Sequence, residues 1–107
     1  MTGKLFLVFA LAGFAVAGVK TYPVSLNHPS MVGNTLLRSG EYRLEVDGSQ
    51  AVFMDLSRHK AAEANVKLDS ASKKFQSTEI ETRDVDGKTK LEQIRLGGTT
   101  TILEFTN

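Results

Sequence analysis

The stretch Gly40–Asp55, GEYRLEVDGSQAVFMD, constrains this chain more than any other. Tyr42, Leu44 and Val46 alternate with Glu41, Arg43 and Glu45, the period of a strand with one buried and one wet face. Asp47-Gly48 follows, and Asp-Gly between alternating runs favours a two-residue turn whose central residues need positive φ. That turn sets Val46 opposite Ser49, Leu44 opposite Ala51 and Tyr42 opposite Phe53. One face of the ribbon is then free of charge, and Tyr42 meets Phe53 as an aromatic cross-strand pair. A three-residue loop would oppose Phe53 to Arg43, so the shorter loop is the preferred register. Gly40 suits the approach turn after Leu36-Leu37-Arg38-Ser39.

A different signal opens the chain. Lys4 is followed by Leu5 to Val19 without a single charge, and Ala15-Val16-Ala17 supplies small residues at both cleavage-determining positions. The apolar run falls short of the ~20 residues a spanning helix needs. The expectation is a signal peptide over residues 1–17 and one domain over residues 18–107, with an uncleaved anchor as the alternative. No cysteine follows the run, which excludes lipid attachment at that point. Lys4 leaves with the peptide, so the 13 basic and 12 acidic residues of the whole chain become balanced. A balanced domain lacks the clustered Lys and Arg on which nucleic-acid binding rests. With 107 residues and no cysteine, stability falls to a sheet core without disulfides, which suits a bacterial periplasmic or secreted protein.

Along the rest of the chain, Tyr22, Val24 and Leu26 alternate with Thr21, Pro23 and Ser25. Pro23 cannot donate to a ladder, so this strand belongs at an edge. Asn27-His28-Pro29-Ser30 is turn chemistry, and Thr35–Leu37 is a short strand leading into the hairpin. Residues 56–68 are ambiguous. Ala61, Ala62, Glu63 and Ala64 favour a helix, whereas Ala62, Ala64, Val66 and Leu68 alternate and no capping pattern introduces a helix. A strand over Lys60–Leu68 is the preferred reading and a helix the competing one. Asp86-Gly87 turns a Thr- and Glu-rich strand, Gln76–Arg83, into Lys88–Leu96. A two-residue loop there opposes Glu81 to Glu92 and Arg83 to Lys90, like against like. A three-residue loop sets Ile80 opposite Ile94, Glu79 opposite Arg95 and Asp84 opposite Lys90, and is preferred. Leu91 and Ile94 break parity, the mark of a bulge between them.

These signals sum to an all-β fold, a small antiparallel sandwich or open barrel of about seven short strands. The expected core is Tyr42, Leu44, Val46, Phe53, Val66, Leu68, Ile80, Ile94, Leu96, Leu103 and Phe105, closed on one side by Val24 and Leu26. The segments LLRSGEYRLEV and IRLGGTTTILEF resemble those of small secreted bacterial β-proteins without assigned function. Gly-Glu-Tyr leading into an apolar strand is similar, more loosely, to transthyretin-like and carboxypeptidase-regulatory-like modules. These resemblances imply fold and export and carry no site residues, because the shared positions are turn and core positions.

Candidate chemistry is sparse. His28 and Met31 with Met54 and His59 would offer two imidazoles and two thioethers, a donor set suited to copper. Against that, His28 sits in a turn, His59 lies between Arg58 and Lys60, and Met54 can fill a sheet face. Without cysteine, a blue-copper centre is excluded. Ser39, Ser49 and Ser57 read as turn residues, and no acid is placed to orient either histidine. Glu79/Glu81 and Glu41/Glu45 share strand faces that water covers. No catalytic residue and no cofactor is therefore expected. The functional expectation is a non-enzymatic binding or envelope-structural module, with periplasmic copper binding through His28 and His59 as the alternative. Thr99–Ile102 is β-prone and uncharged, so a protein partner or self-association is expected at an open edge around Ile102.

Overall fold

A computed structural model describes residues 20–106, and among them every regular element is a strand. In chain order they are β1 (Lys20–Leu26), β2 (Ser30–Val32), β3 (Thr35–Leu37), β4 (Gly40–Asp47), β5 (Gln50–Met54), β6 (Lys60–Ser70), β7 (Glu79–Val85), β8 (Lys88–Arg95) and β9 (Thr101–Phe105). Nine strands thus stand where about seven were expected, chiefly because Ser30–Val32 forms its own strand and pairs with β3 across Gly33-Asn34. The segment from Lys60 onward is a strand and not a helix. The expected signal peptide lies outside the described residues.

All nine strands join one open sheet in the order β1-β4-β5-β6-β9-β8-β2-β3, with β7 on the other side of β8. The pairing is antiparallel except where Met31 of β2 meets Lys90 of β8 in parallel. Long β6 carries the sheet around a corner. Its first half pairs with β5 from Lys60 to Asn65, and its second half pairs with β9 from Val66 to Ser70. Residues from both halves then pack into one apolar cluster, Val24, Leu44 and Phe53 from one and Leu91, Ile94 and Leu103 from the other. Pro23 lies on β1, which pairs only with β4, the one-sided position that its missing N–H demands.

The register of the β4–β5 hairpin differs from the expected one by two residues. Val46 faces Ala51 and Leu44 faces Phe53, so the loop is Gly48-Ser49 and not Asp47-Gly48. Gly48 has φ 61° and Ser49 has ordinary negative φ, the combination of a type II′ turn with glycine first. A slip of one residue would turn every side chain to the wrong face, but a slip of two turns none. Hydrophobic patterning therefore cannot distinguish the two registers, and Phe53 is buried in either. Tyr42 is not its direct partner but a diagonal neighbour, and the rings still meet edge to face at 6.4 Å and 86°. The Tyr42 hydroxyl donates to the Arg38 carbonyl at 2.7 Å. Opposite Phe53 on β6 stands Ala62, whose small side chain leaves room for the ring to tilt against Phe105 at 6.1 Å.

In the β7–β8 hairpin the far end has the expected register, with Ile80 opposite Ile94 and Glu79 opposite Arg95. The loop, however, is the two-residue Asp86-Gly87, both at positive φ (53° and 79°), as a type I′ turn requires. The two ends are reconciled by a bulge. Glu81 pairs with Gln93 and Thr82 with Leu91, which leaves Glu92 out of the ladder. Glu92 consequently does not oppose Glu81 and instead reaches Arg83 at 3.8 Å. Arg83 does face Lys90, and Glu92 supplies the negative charge beside it. The bulge also turns both Leu91 and Ile94 inward.

The core departs from the expected one at several places. Leu68 is 49% exposed: β5 ends opposite Asn65, so beyond it β6 keeps a neighbour only on the β9 side. Tyr42, Val46, Ile80 and Phe105 are half-buried at the rim of the cluster. Val32, Leu37, Ala51, Ala62, Ala64 and Leu91 are buried with Ser30 beside them. Strand β9 is interior, since Ile102 pairs with Asp69 on one side and Arg95 on the other. Leu103 is buried as expected, but the free edge expected around Ile102 is not there. Among the described strands, the free edges belong to β1, β3 and β7.

Candidate functional site

The parallel contact of β2 with β8 brings the β2–β3 hairpin against the tip of the β7–β8 hairpin, and a cleft opens between them. Its volume is about 870 Å³, in the range of small-molecule sites. His28 and Pro29 enter from the β1–β2 turn, Met31 and Leu36 from β2 and β3, and Thr82, Asp84, Lys88 and Thr89 from the opposite hairpin. Leu36 is 61% exposed, an apolar side chain on a short edge strand with nothing covering it. The far wall is polar, and the Thr89 hydroxyl donates to Asp84 Oδ1 at 3.0 Å. The cleft thus combines an apolar wall (Pro29, Met31, Leu36) with a polar one, and both are open to water.

Of the four proposed copper ligands, His28 and Met31 line this cleft, whereas Met54 and His59 do not. Met54 ends β5, and His59 belongs to the loop between β5 and β6. That loop is organised by Asp55, whose Oδ1 accepts the backbone N–H groups of Ser57 and His59, each at 2.9 Å. Asp55 Oδ2 lies 3.8 Å from His59 Nδ1. The histidine therefore has a carboxylate beside it that sequence reasoning missed; the signal is the i, i+4 spacing inside a tight loop that holds Arg58 at φ 69°. Both side chains are well exposed, and in water such a pair is held weakly. Among the described residues, no group of three or more His, Asp, Glu or Cys is gathered in a way that could hold a metal ion.

The paired carboxylates of β7 have a local role. Arg95 Nε lies 3.2 Å from Glu79 and its Nη1 3.8 Å from Glu81, while Nη1 also donates to Gln93 Oε1 at 2.7 Å. One guanidinium therefore anchors two acids of the neighbouring strand on the outer face. No helix among the described residues is long and apolar enough to cross a membrane. No protein-family model matches the chain, and no match was found among curated proteins or solved structures.

Proposed function

We propose that this protein is an exported, non-enzymatic β-domain of the bacterial periplasm or secretome, and that it binds its ligand or protein partner in the cleft between the β2–β3 and β7–β8 hairpins. The observation carrying this reading is Leu36, an exposed leucine beside Met31 and Pro29, facing a wall of Thr82, Asp84 and Thr89. An apolar surface with a few convergent polar groups is the common form of a binding site. Export is supported by the uncharged run ending at Ala15-Val16-Ala17. The curled sheet is best read as an incompletely closed barrel, because β1, through Pro23 and Ser25, and the start of β7, through Ile80 and the preceding Thr78, line an opening of about 550 Å³.

The test uses an apolar fluorescent probe, anilinonaphthalene sulfonate. Saturable binding to the folded protein is expected, with loss on Leu36→Asp while the circular dichroism spectrum is unchanged. A folded protein that leaves the probe dark would overturn the cleft as a binding site. Mass spectrometry of the exported product should find a chain beginning at Gly18. The second reading, copper held by His28 and Met31, rests on their common place in the cleft. A copper(I) titration in which His28→Ala and Met31→Ala each weaken binding, and His59→Ala does not, would favour it over an apolar ligand.

A further inference from the structure

The outer edge of β7 is self-complementary, and we propose that two copies of this chain associate by pairing their β7 strands antiparallel about Thr82. Of the three free edges, β3 has three residues, and β1 contains Pro23, which cannot donate. Strand β7 has seven residues, Glu79–Val85, with no proline. Its ladder partner is β8 alone, and its other side borders the opening toward β1, where its backbone donors and acceptors have no strand partner. Glu79, Glu81, Thr82, Arg83 and Asp84 are all exposed.

Charged edges normally prevent pairing, and here one near register opposes no like charges. Centred on Thr82, two antiparallel β7 strands set Glu81 of each copy opposite Arg83 of the other and threonine opposite threonine. Opposite-charge and Thr–Thr pairs both favour cross-strand contact. A slip of two residues sets Arg83 against Arg83, or Glu81 against Glu81 with Glu79 opposite Arg83 on either side. A slip of one sets Asp84 against Glu79 or against Glu81. Each of these opposes at least one like-charge pair, which is unfavourable, and the Thr82-centred register opposes none. The surviving register is symmetric, as an isologous two-fold contact requires.

The side chains it would use remain accessible. Glu81 is 52% exposed and its partner Arg95 is 3.8 Å away, while Arg83 is 66% exposed and Glu92 is 3.8 Å away. These intramolecular contacts hold both groups on the outer face without sealing them. The even-numbered residues Thr82 and Asp84 line the cleft, so the pairing sets the two clefts side by side across the symmetry axis. This inference stands apart from the identity of any cleft ligand, because it rests on the edge alone.

Sedimentation velocity of the purified protein over a wide concentration range tests it. The wild type should form a reversible dimer. Glu81→Arg and Arg83→Glu should each weaken it by at least about tenfold, since each turns two attractive pairs into repulsive ones. An equimolar mixture of the two variants should recover a heterodimer, because both cross-strand pairs between positions 81 and 83 then join an acidic residue to a basic one again. The double exchange E81R/R83E should restore the homodimer. A monomeric wild type, a dimer indifferent to both variants, or variants that stay monomeric when mixed while retaining the native circular dichroism spectrum would each overturn the proposal. A variant that loses its fold is replaced in the comparison by the double exchange, whose failure to dimerise while folded is equally decisive.

Discussion

The two glycine-turned hairpins solve the same problem in opposite ways. In β4–β5 the ladder runs without interruption from Arg43↔Met54 to Asp47↔Gln50, and the turn type alone chooses among registers that patterning leaves equal. In β7–β8 the turn and the far end demand registers that differ by one, and Glu92 is expelled to satisfy both. The first hairpin is central and buries Leu44, Ala51 and Phe53 completely. The second has a free edge, and β7 contributes no fully buried side chain. In the central ribbon the β4–β5 ladder keeps Leu44 and Phe53 on one face throughout, and the neighbouring β5–β6 ladder takes its offset just past them, between Phe53 and Met54. A bulge is tolerated where one strand faces water, and there it also re-aims a side chain.

The sharpest way to break this contrast is to remove Phe53. Phe53→Ala takes away the ring that touches Tyr42 and Phe105 and should cost about 3–5 kcal/mol in urea unfolding, a large part of the ~5–15 kcal/mol that holds most domains folded. Arg43→Ala, on the exposed face of the same ribbon, should cost less than about 0.5 kcal/mol. Similar losses for the two would show that the hairpin is not the centre of the core.

Next comes a pair of leucines opposite each other in the β6–β9 ladder. Leu103 is fully buried and Leu68 is 49% exposed, so Leu103→Ala should cost about 2–5 kcal/mol and Leu68→Ala well under half of that. A larger effect at Leu68 would mean that this end of β6 is covered. Leu91→Ala probes the bulge itself. Leu91 and Ile94 stand three residues apart, so both are buried only because of the offset between them. Truncating Leu91 should cost about 2–5 kcal/mol, and a loss as small as that at Leu68 would contradict its burial.

The smallest effects belong to the glycines, and they separate two reasons for the same residue. Gly97 has no positive φ, but a Cβ there would lie 2.7 Å from the backbone of Ser77 and Thr78. The Thr78 hydroxyl accepts the Gly97 N–H at 2.9 Å, and Gly98 N–H donates to the Phe75 carbonyl at 2.7 Å. Backbone cannot yield as a side-chain tip does, so Gly97→Ala should cost about 1–3 kcal/mol. Gly48 meets nothing within 4 Å; Gly48→Ala should cost only the left-handed penalty of about 1–2 kcal/mol, and Gly48→Asn less. Thermal melts of the three variants should rank in that order. A Gly97→Ala protein as stable as Gly48→Asn would contradict the close approach.

Side-chain parity is a local property, and the chain alone determined it. The alternations of β1, β4 and β6, the edge position of Pro23, the strand over residues 60–68 and the bulge between Leu91 and Ile94 were all legible, because each follows from which face a residue must occupy. Two-residue slips preserve every face, so the Gly48-Ser49 turn was decided by turn geometry that composition at Asp47-Gly48 does not distinguish. Neighbours across the sheet were decided only by the tertiary structure. Strand β9 became interior because β6 and β8 both reach it, and Leu68 became exposed because β5 stops short. The cleft divides in the same manner. His28 and Met31 could be nominated from their types and spacing, but Leu36, Thr82, Asp84 and Thr89 join them only through the contact of Met31 with Lys90. A contact between residues so far apart in the chain leaves no periodic trace in it. Its free energy comes from burying the faces of strands whose partners local sequence does not name.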